Sequence, residues 1–340
     1  MSNVTNNPPE LQRPIDSRAH TTYAWSVLRA GTFKLDAGSM FGLIPRVVWS
    51  RSMQVDDRGR MQVQHNCILL QSQNHRILIE SGTGDKLDDK SRDIFELERR
   101  SITDALHEAG VAPESIDAVV VSHLHFDHAG GLTRLCREGE TPDWTGPASG
   151  MAGARPNHGV KRTFPNARIV AQAREWVDAI ANRSVMTRTY FADHLEPLRD
   201  RLLLVDSARP FVTGATPDRD EMPTLTLEQR TSEPLPGVRV FLVPGHTWGQ
   251  QAVMFNDREG RTIVFTPDVM PTAAHVGAAY SLAYDVEPYT SAVTRHWFLT
   301  EAARRDWILV LDHEPGNPVF RVRENGKGWF ELVPQAIMGG

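Results

Sequence analysis

The sequence predicts an α/β protein whose polar residues gather where its apolar strands end. A short β-branched and apolar run at residues 116–121 is typical of a buried strand, and it leads directly into His123-Leu124-His125-Phe126-Asp127-His128. Three later runs lead in the same way into a metal-capable residue: residues 238–243 before His246, 262–266 before Asp268, and 307–311 before His313. Because α/β proteins place their chemistry at the carboxyl ends of strands, we expect these side chains to meet at one edge.

The other elements follow from strand and helix periodicity. Residues 23–35 predict a first strand, and residues 67–71 and 76–80 predict a hairpin around a polar turn. One face of residues 101–109 is apolar and Gly110 follows, which indicates a helix and its end. The later elements are, in order, a strand at 168–171, a helix at 173–181, strands from 224 to 268, a helix at 291–304, and closing strands at 319–322 and 329–333. Three segments without periodicity predict loops, at 40–49, 137–163 and 206–222.

The six-residue motif is difficult to explain without a metal. Three imidazoles and a carboxylate crowded at a strand end would repel one another if charged and would waste hydrogen bonds if buried alone. A divalent cation takes neutral imidazole and carboxylate as ligands. In extended backbone His123 and His125 point to the same side, whereas the adjacent Asp127 and His128 cannot both join them. We therefore expect two neighbouring sites, each completed by residues from later strands.

The chain resembles the metallo-β-lactamase superfamily. The residues that carry the resemblance are the six-residue motif, Pro244-Gly245-His246-Thr247, Asp268 and His313, with weaker matches at 36–42, 164–167 and 173–176. Within that superfamily the chain is most similar to the lactonase-like hydrolases that open N-acyl-homoserine lactones. The resemblance spans roughly residues 25 to 330 and implies a four-layer αββα sandwich.

The resemblance also implies roles for individual residues. His123, His125 and His246 would hold a first metal, Asp127, His128 and His313 a second, and Asp268 would bridge the two. The cofactors would be two divalent ions, with zinc expected and manganese, iron or cobalt also compatible with these ligands. The implied reaction is attack of a metal-bridging hydroxide on the lactone carbonyl, with Asp127 passing a proton to the leaving alkoxide.

Two positions depart from the family pattern. The family has Asp-x-Gly after its second strand, where this chain reads Glu80-Ser81-Gly82. That aspartate normally orients the metal ligands from behind, so this role falls to the longer Glu80 or is lost. Lactonases of the best-known type carry a tyrosine shortly after the bridging aspartate, and here Tyr280 or Tyr284 is the candidate replacement. The candidates for an apolar acyl pocket are Met40, Phe41, Phe126 and His275. Met40 and Phe41 could instead be core residues and His275 a loop histidine, whereas the place of Phe126 inside the motif keeps it beside the metals.

Other chemistries of the same superfamily remain as alternatives. Hydrolysis of another ester or of a phosphoester fits the ligand set, and an iron-dependent sulfur dioxygenase would use one metal with two histidines and one aspartate. True β-lactamases of this fold place a cysteine at position 268, where this chain has aspartate. A non-catalytic scaffold would not need the complete ligand set.

Composition limits the partners. A formal net charge of −5 argues against non-specific nucleic-acid binding, and no apolar run approaches the roughly 20 residues that span a membrane. We expect a small-molecule substrate with an apolar acyl chain, a cytoplasmic location and free thiols at Cys67 and Cys136, and a homodimer remains open. Residues 1–20 predict a disordered extension without a secretory signal. Residues 21–340 predict a single domain, with an insertion near 137–163 that forms a lid or a surface loop.

Overall fold

The strands and helices form largely where the sequence shows their periodicities. The structure, a computed structural model, describes residues 21–51, 53–146, 158–186, 188–210, 225–277 and 279–336. Its strands are β1 (Ala24–Asp36), β2 (Arg60–Gln71), β3 (Arg76–Ile79), β4 (Ala118–Val120), β5 (Thr133–Leu135), β6 (Trp144–Gly146), β7 (His158–Arg162), β8 (Arg168–Gln172), β9 (Leu202–Val205), β10 (Ser232–Leu235), β11 (Val238–Leu242), β12 (Gln251–Asn256), β13 (Thr262–Thr266), β14 (Ile308–Leu311), β15 (Val319–Glu324) and β16 (Phe330–Pro334). Its α-helices are α1 (Ala37–Phe41), α2 (Arg46–Trp49), α3 (Asp89–Phe95), α4 (Ile102–Glu108), α5 (Phe126–Ala129), α6 (Ala173–Ile180), α7 (Ala192–Leu195), α8 (Leu227–Arg230) and α9 (Pro288–Arg304).

The described strands form two large sheets and one small sheet. The first large sheet has the order β1-β2-β3-β4-β8-β9, and the second runs from β10 to β16 in chain order. In the first sheet β3, β4, β8 and β9 are parallel neighbours. In the second sheet β13 and β14 are parallel, and the other neighbouring strands are antiparallel. The small sheet has the order β5-β7-β6.

Apolar side chains join these sheets and helices into layers. Between the two large sheets, Ile68 and Leu70 of β2 belong to the same buried cluster as Val253 and Phe265 of the second sheet. A second cluster joins the outer face of the first sheet to α4 and α6. A third joins the outer face of the second sheet to α9, in which Phe298 is buried. The four-layer αββα sandwich that the sequence implied is therefore confirmed.

The topology brings several strand ends to one edge. Both β11 and β13 run antiparallel to β12, so they point in the same direction, and β14 runs parallel to β13. The carboxyl end of β4 in the first sheet lies at the same edge. There the main-chain N–H of Gln251 donates to the Ser122 oxygen (2.9 Å), and its side-chain amide donates to the Val121 oxygen (2.8 Å).

Two segments predicted as loops contain regular structure. Residues 40–49 include the end of α1 and all of α2, and Pro45 separates these helices as the N-cap of α2. Residues 137–163 contain β6 and β7, which pair with each other, and β7 also pairs with β5. These strands carry few apolar residues, and the sequence gives no periodicity from which to predict them. Residues 147–157 of the insertion lie outside the described part of the chain.

Several remaining predictions concern smaller features. The extension at residues 1–20 and most of the predicted loop at 206–222 lie outside the described residues. Cys67 and Cys136 are both free thiols, as predicted. No helix among the described residues has the length and apolar character needed to cross a bilayer.

Candidate metal centre

The six-residue motif is extended at first and then becomes helical. His123 follows the end of β4 and is fully buried. His125 is the N-cap of α5, with φ −61° and ψ 157°, so Asp127 and His128 lie in the first turn of that helix. The helix thus begins inside the motif rather than after it. Because the backbone changes from extended to helical here, the side chains of His125 and His128 point in different directions. Two neighbouring metal sites need this arrangement.

The first group of potential ligands contains His123, His125, His246 and Asp268. One donor atom from each lies within 4.8 Å of those of the others. The His246 Nε2 atom is 3.0 Å from Asp268 Oδ2 and 3.0 Å from His125 Nδ1. The distance from His123 Nε2 to Asp268 Oδ2 is 3.9 Å. These are the residues expected to hold and bridge a first metal.

The second group contains His128, Asp268, Asp312 and His313, again within 4.8 Å of one another. The Nε2 atoms of His128 and His313 are 3.3 Å apart. Asp127 borders this group, because its oxygens lie 3.6 Å from His313 Nε2 and 3.8 Å from His128 Nε2. Asp268 therefore belongs to both groups, as the proposed bridging role requires.

Groups outside the cluster contact the Nδ1 atoms of four of its histidines and leave each Nε2 atom facing inward. A histidine whose outer nitrogen is hydrogen-bonded has a fixed orientation and tautomer, which is the usual arrangement around protein-bound metals. The contacts are Ser122 Oγ to His123 (2.9 Å), Glu80 Oε2 to His128 (3.4 Å), Asp285 Oδ1 to His246 (3.0 Å) and the Gln64 main-chain oxygen to His313 (3.0 Å).

Glu80 occupies the position that departs from the family pattern. Its backbone has φ 67°, in the left-handed region, and its side chain is buried. Oε1 accepts a hydrogen bond from the Ser122 N–H (2.6 Å), while Oε2 lies 3.4 Å from His128 Nδ1. The longer side chain thus contacts both the motif and one of its histidines.

Burial and charge favour a cation here. His123 Nε2 is buried without a hydrogen-bond partner among the described residues. Burial and the neighbouring imidazoles hold the pKa values of His123 and His125 well below the usual histidine range, so both rings are neutral. Burial alone would lower the pKa of His246, but the Asp268 and Asp285 carboxylates outweigh it and raise that pKa to about 10. A divalent cation between His246 and Asp268 would replace this proton, so the donor set fits a metal.

A cavity of about 210 Å³ opens beside the two groups. Its lining is mainly apolar on one side, and on the other it contains two residues of the metal groups and the neighbouring Asp127. The lining residues are Leu35, Ile94, Phe95, His125, Phe126, Asp127, Ser184, Met186, Arg188, Thr189, Asp268 and Tyr284. Phe126 therefore lies where a pocket residue was expected, and Tyr284 rather than Tyr280 reaches the cavity.

Met40, Phe41 and His275 do not belong to this lining. Met40 and Phe41 are buried in an apolar cluster with Trp49. Phe41 stacks on both Trp49 and His275, with ring-centroid distances of 5.3 and 5.0 Å. Both ring nitrogens of His275 are used, one with Thr272 Oγ1 and the other with the Met40 main-chain oxygen. Stacking and hydrogen bonding thus hold these three side chains in the core, and their placement corrects the expectation that they line the pocket.

Sequence reasoning missed three carboxylates near the centre. Asp312 belongs to the second group, and Asp285 holds His246. Glu175 accepts hydrogen bonds from the Leu124 N–H (2.9 Å) and from Thr247 Oγ1 (2.6 Å), so it joins the motif to the loop that carries His246. The only signals were the position of Asp312 beside His313 and the weak match at residues 173–176. Asp285 lies in no recognisable pattern.

Comparison with solved structures shows the fold. A probable metal-dependent hydrolase from Staphylococcus aureus is 23% identical with a TM-score of 0.71, over 94% of this chain and 100% of that one. AidC, a dizinc quorum-quenching lactonase, is 15% identical with a TM-score of 0.65, over 94% of this chain and 99% of that one. A quorum-quenching N-acyl homoserine lactone lactonase is 17% identical with a TM-score of 0.59, over 93% and 99%.

Two sequence comparisons complete the assignment. A curated protein, transcription termination factor FttA of Methanocaldococcus jannaschii, is 32% identical over 81 residues, which make up 24% of this chain and only 11% of that protein. The metallo-beta-lactamase superfamily model matches residues 60–313, which include every histidine and aspartate of both groups. The chain therefore belongs to the metallo-beta-lactamase superfamily, as a hydrolase whose fold implies divalent metal binding.

Proposed function

We propose that this protein is a dinuclear metallohydrolase that opens a lactone ring, with an N-acyl-homoserine lactone as the expected substrate. The observation that carries the proposal is the position of Asp268, which contributes a carboxylate to both ligand groups. A shared carboxylate between two histidine clusters suits a closely spaced pair of ions. We assign His123, His125 and His246 to the first ion, and Asp127, His128 and His313 to the second.

Two divalent ions, for which zinc is the expected identity, would supply an activated water at neutral pH and stabilise charge on the reacting oxygens. The residues of the chain position the substrate and move the proton. Asp127 lines the cavity and borders the second group, so its carboxylate can hold a proton and deliver it to the departing alkoxide. Tyr284 lines the same cavity beside Asp268 and can orient the carbonyl through its hydroxyl group.

The apolar side of the cavity supports an acyl substrate. Leu35, Ile94, Phe95, Phe126 and Met186 provide this surface close to the carboxylates of Asp127 and Asp268. Among proteins of similar fold, one N-acyl homoserine lactone hydrolase has N-hexanoyl-L-homoserine bound at its catalytic metal centre, at 16% identity and a TM-score of 0.59. That likeness makes an acyl homoserine lactone the first substrate to test.

The experiment is a substrate panel on metal-loaded protein, with lactones, simple esters and a phosphodiester. We expect lactones to be turned over fastest, and we expect His125→Ala and Asp268→Ala to retain less than about a tenth of the rate. Losing a metal that generates the nucleophile should cost several kcal/mol of activation free energy. His107→Ala, which removes an exposed histidine of α4, is the matched control and should keep full activity.

Each alternative chemistry corresponds to a distinct result of this panel. Faster turnover of a phosphodiester than of any lactone would refute the lactonase assignment and leave a metallohydrolase of another substrate class. Oxygen consumption by protein that contains one iron per chain would instead support a sulfur dioxygenase. Retention of activity in Asp268→Ala would contradict the bridging role.

A further inference from the structure

Asp312 has a buried carboxylate that accepts no hydrogen bond from the described residues. The residue follows β14 and is only 2% exposed, and neither of its side-chain oxygens has a hydrogen-bond partner among the described residues. Its backbone is held on both sides, because its N–H donates to the Thr266 oxygen (3.2 Å) and its own oxygen accepts from the Asn66 N–H (2.8 Å). The direction of the side chain is therefore set by the sheet edge.

That direction is towards the second group of ligands. The donor atoms of His128, Asp268, Asp312 and His313 all lie within 4.8 Å of one another. Asp312 Oδ2 is 3.9 Å from His313 Nε2, the nitrogen that also faces His128. Among the described residues this imidazole is its one ion-pair contact, and no lysine or arginine side chain pairs with it.

A carboxylate in this setting needs a cation. Leaving a buried carboxylate unpartnered is costly, and proteins satisfy such groups with an ion pair, hydrogen bonds or a metal. Asp268, in the same group, and Asp127, which also faces His313 Nε2, bring further negative charge to this site. The second group would then combine two imidazoles with three carboxylates, whereas the first group has three imidazoles and the shared Asp268. Carboxylate-rich sites suit manganese better than histidine-rich sites do.

We propose that Asp312 is an additional ligand of the second ion and makes that site more selective for Mn²⁺ than the first. The proposal rests on the two-metal centre proposed above and goes beyond it, because the family pattern assigns no ligand at this position. It predicts that the two sites of one chain differ in metal preference. The first site should favour Zn²⁺, and the second should retain Mn²⁺.

The test compares wild-type protein with Asp312→Asn, which keeps the shape of the side chain and removes its charge. Each protein is loaded separately with Zn²⁺ and with Mn²⁺ and dialysed against a graded series of chelator, and retained metal is measured by elemental analysis. We expect the chelator concentration that removes half of the second ion to fall at least about tenfold in the variant, with the larger fall for Mn²⁺. Retention of the first ion should not change.

Asp178→Asn is the matched control. Asp178 is also 2% exposed, but it pairs with Arg174 and lies outside both ligand groups. This variant should lower the melting temperature and leave metal retention as in the wild type. If Asp312→Asn lost both ions equally and melted early, Asp312 would be a structural residue and the proposal would be wrong.

Two further outcomes separate this inference from the proposed function. A wild-type chain that binds only one ion would refute the dinuclear centre itself. A wild-type chain that binds two ions, with unchanged retention in Asp312→Asn, would overturn the Asp312 assignment alone. Should the variant fail to fold, a crystal structure of the Mn²⁺-loaded wild type decides. An Asp312 oxygen about 2.0–2.2 Å from the second ion supports the proposal, and one beyond hydrogen-bond distance overturns it.

Discussion

At the scale of single residues, Glu80 shows how a substitution in a family pattern can preserve a contact. The longer side chain reaches both the Ser122 N–H and His128 Nδ1 from a left-handed backbone position. It thereby orients His128 from behind while the Nε2 atom faces the second group. A residue that orients a ligand is expected to matter for metal affinity nearly as much as the ligand itself.

We therefore expect Glu80→Gln to weaken binding of the second ion by about 10- to 100-fold, because an amide is a poorer partner for the imidazole than a carboxylate. Competition with a chromophoric chelator measures this directly. Glu138→Gln, which changes an exposed glutamate in the same way, should have no effect. Equal metal affinity in wild type and Glu80→Gln would mean that His128 is held by its own packing alone.

Tyr284 is the candidate that the sequence left open for positioning the substrate. Among the described residues its hydroxyl donates only to the thioether of Met40 (2.8 Å), a weak acceptor, so it remains available to a ligand in the cavity. We expect Tyr284→Phe to lower kcat/KM for a lactone about tenfold, the loss of one hydrogen bond, with less than about 1 kcal/mol of change in unfolding free energy.

Tyr280→Phe is the control for that variant, because Tyr280 packs against Phe41 and does not line the cavity. Steady-state kinetics on both variants separates the two tyrosines. Loss of efficiency in Tyr280→Phe with none in Tyr284→Phe would reverse the assignment.

The residue scale also shows what the sequence can predict. The candidate ligands from His123 to His128 could be identified from the sequence, because their spacing within six positions is itself informative. The sequence could not predict the places of Met40, Phe41 and His275, because the identity of an apolar or aromatic residue does not show whether it faces a cavity or the core. Asp285 contacts His246 across 39 positions of sequence, and only tertiary structure reveals that contact.

At the scale of elements, close backbone approach explains the glycines that follow the motif. A Cβ atom on Gly131 would lie 2.1 Å from the Ser81 main-chain oxygen, and one on Gly130 would lie 2.2 Å from that of Thr83. Both positions have no room for a side chain, since the obstructing atoms belong to the backbone. The turn after α5 is therefore packed directly on the segment that carries Glu80.

Gly131→Ala should lower the free energy of unfolding by about 1–3 kcal/mol, because the added methyl group must displace a buried backbone segment. Denaturant titration measures the change. Gly316→Ala is the control, because the atom nearest to its added Cβ is a Glu314 side-chain oxygen at 3.3 Å and not a backbone atom. If the two variants had equal stability, the segment from Ser81 to Thr83 would be freer to move than its contacts indicate.

Element prediction succeeded where periodicity was strong and failed where pairing was non-local. The strands β1, β11, β13 and β14 carry enough apolar residues to be identified alone, whereas only residues 67–71 of β2 were predicted and its first half, from Arg60, was missed. By contrast, β6 and β7 are short and half polar, and they exist as strands because they pair with each other and with β5. The helix α5 could not be predicted from the sequence, because potential metal ligands occupy positions where a helix would show its apolar pattern.

At the scale of the whole molecule, the candidate metal centre joins the two large sheets. The motif follows β4 of the first sheet, whereas His246, Asp268 and His313 follow strands of the second. Without a cation, these buried imidazoles and carboxylates would face one another across the sandwich. Metal binding should therefore stabilise the fold as well as enable the reaction.

Chelation should accordingly lower the melting temperature. A ligand present at a thousand times its Kd stabilises the folded state by about 4 kcal/mol, so the expected fall is several degrees. Differential scanning calorimetry before and after chelation measures it, and addition of Zn²⁺ should restore the original value. An unchanged melting temperature in protein shown by elemental analysis to be metal-free would contradict this coupling.

The cavity beside the centre gives the last prediction. Its apolar wall should gain roughly 0.8 kcal/mol for each methylene that it removes from water. We therefore expect kcat/KM for acyl homoserine lactones to rise severalfold when the acyl chain lengthens by two carbons, until about 210 Å³ is filled. Phe95→Ala removes part of the wall and enlarges the cavity, so it should move the preference to longer acyl chains. Val177→Ala, on the exposed face of α6, should leave the preference unchanged. Equal efficiency across chain lengths in the wild type would mean that the acyl chain stays in solvent and that this cavity does not bind it.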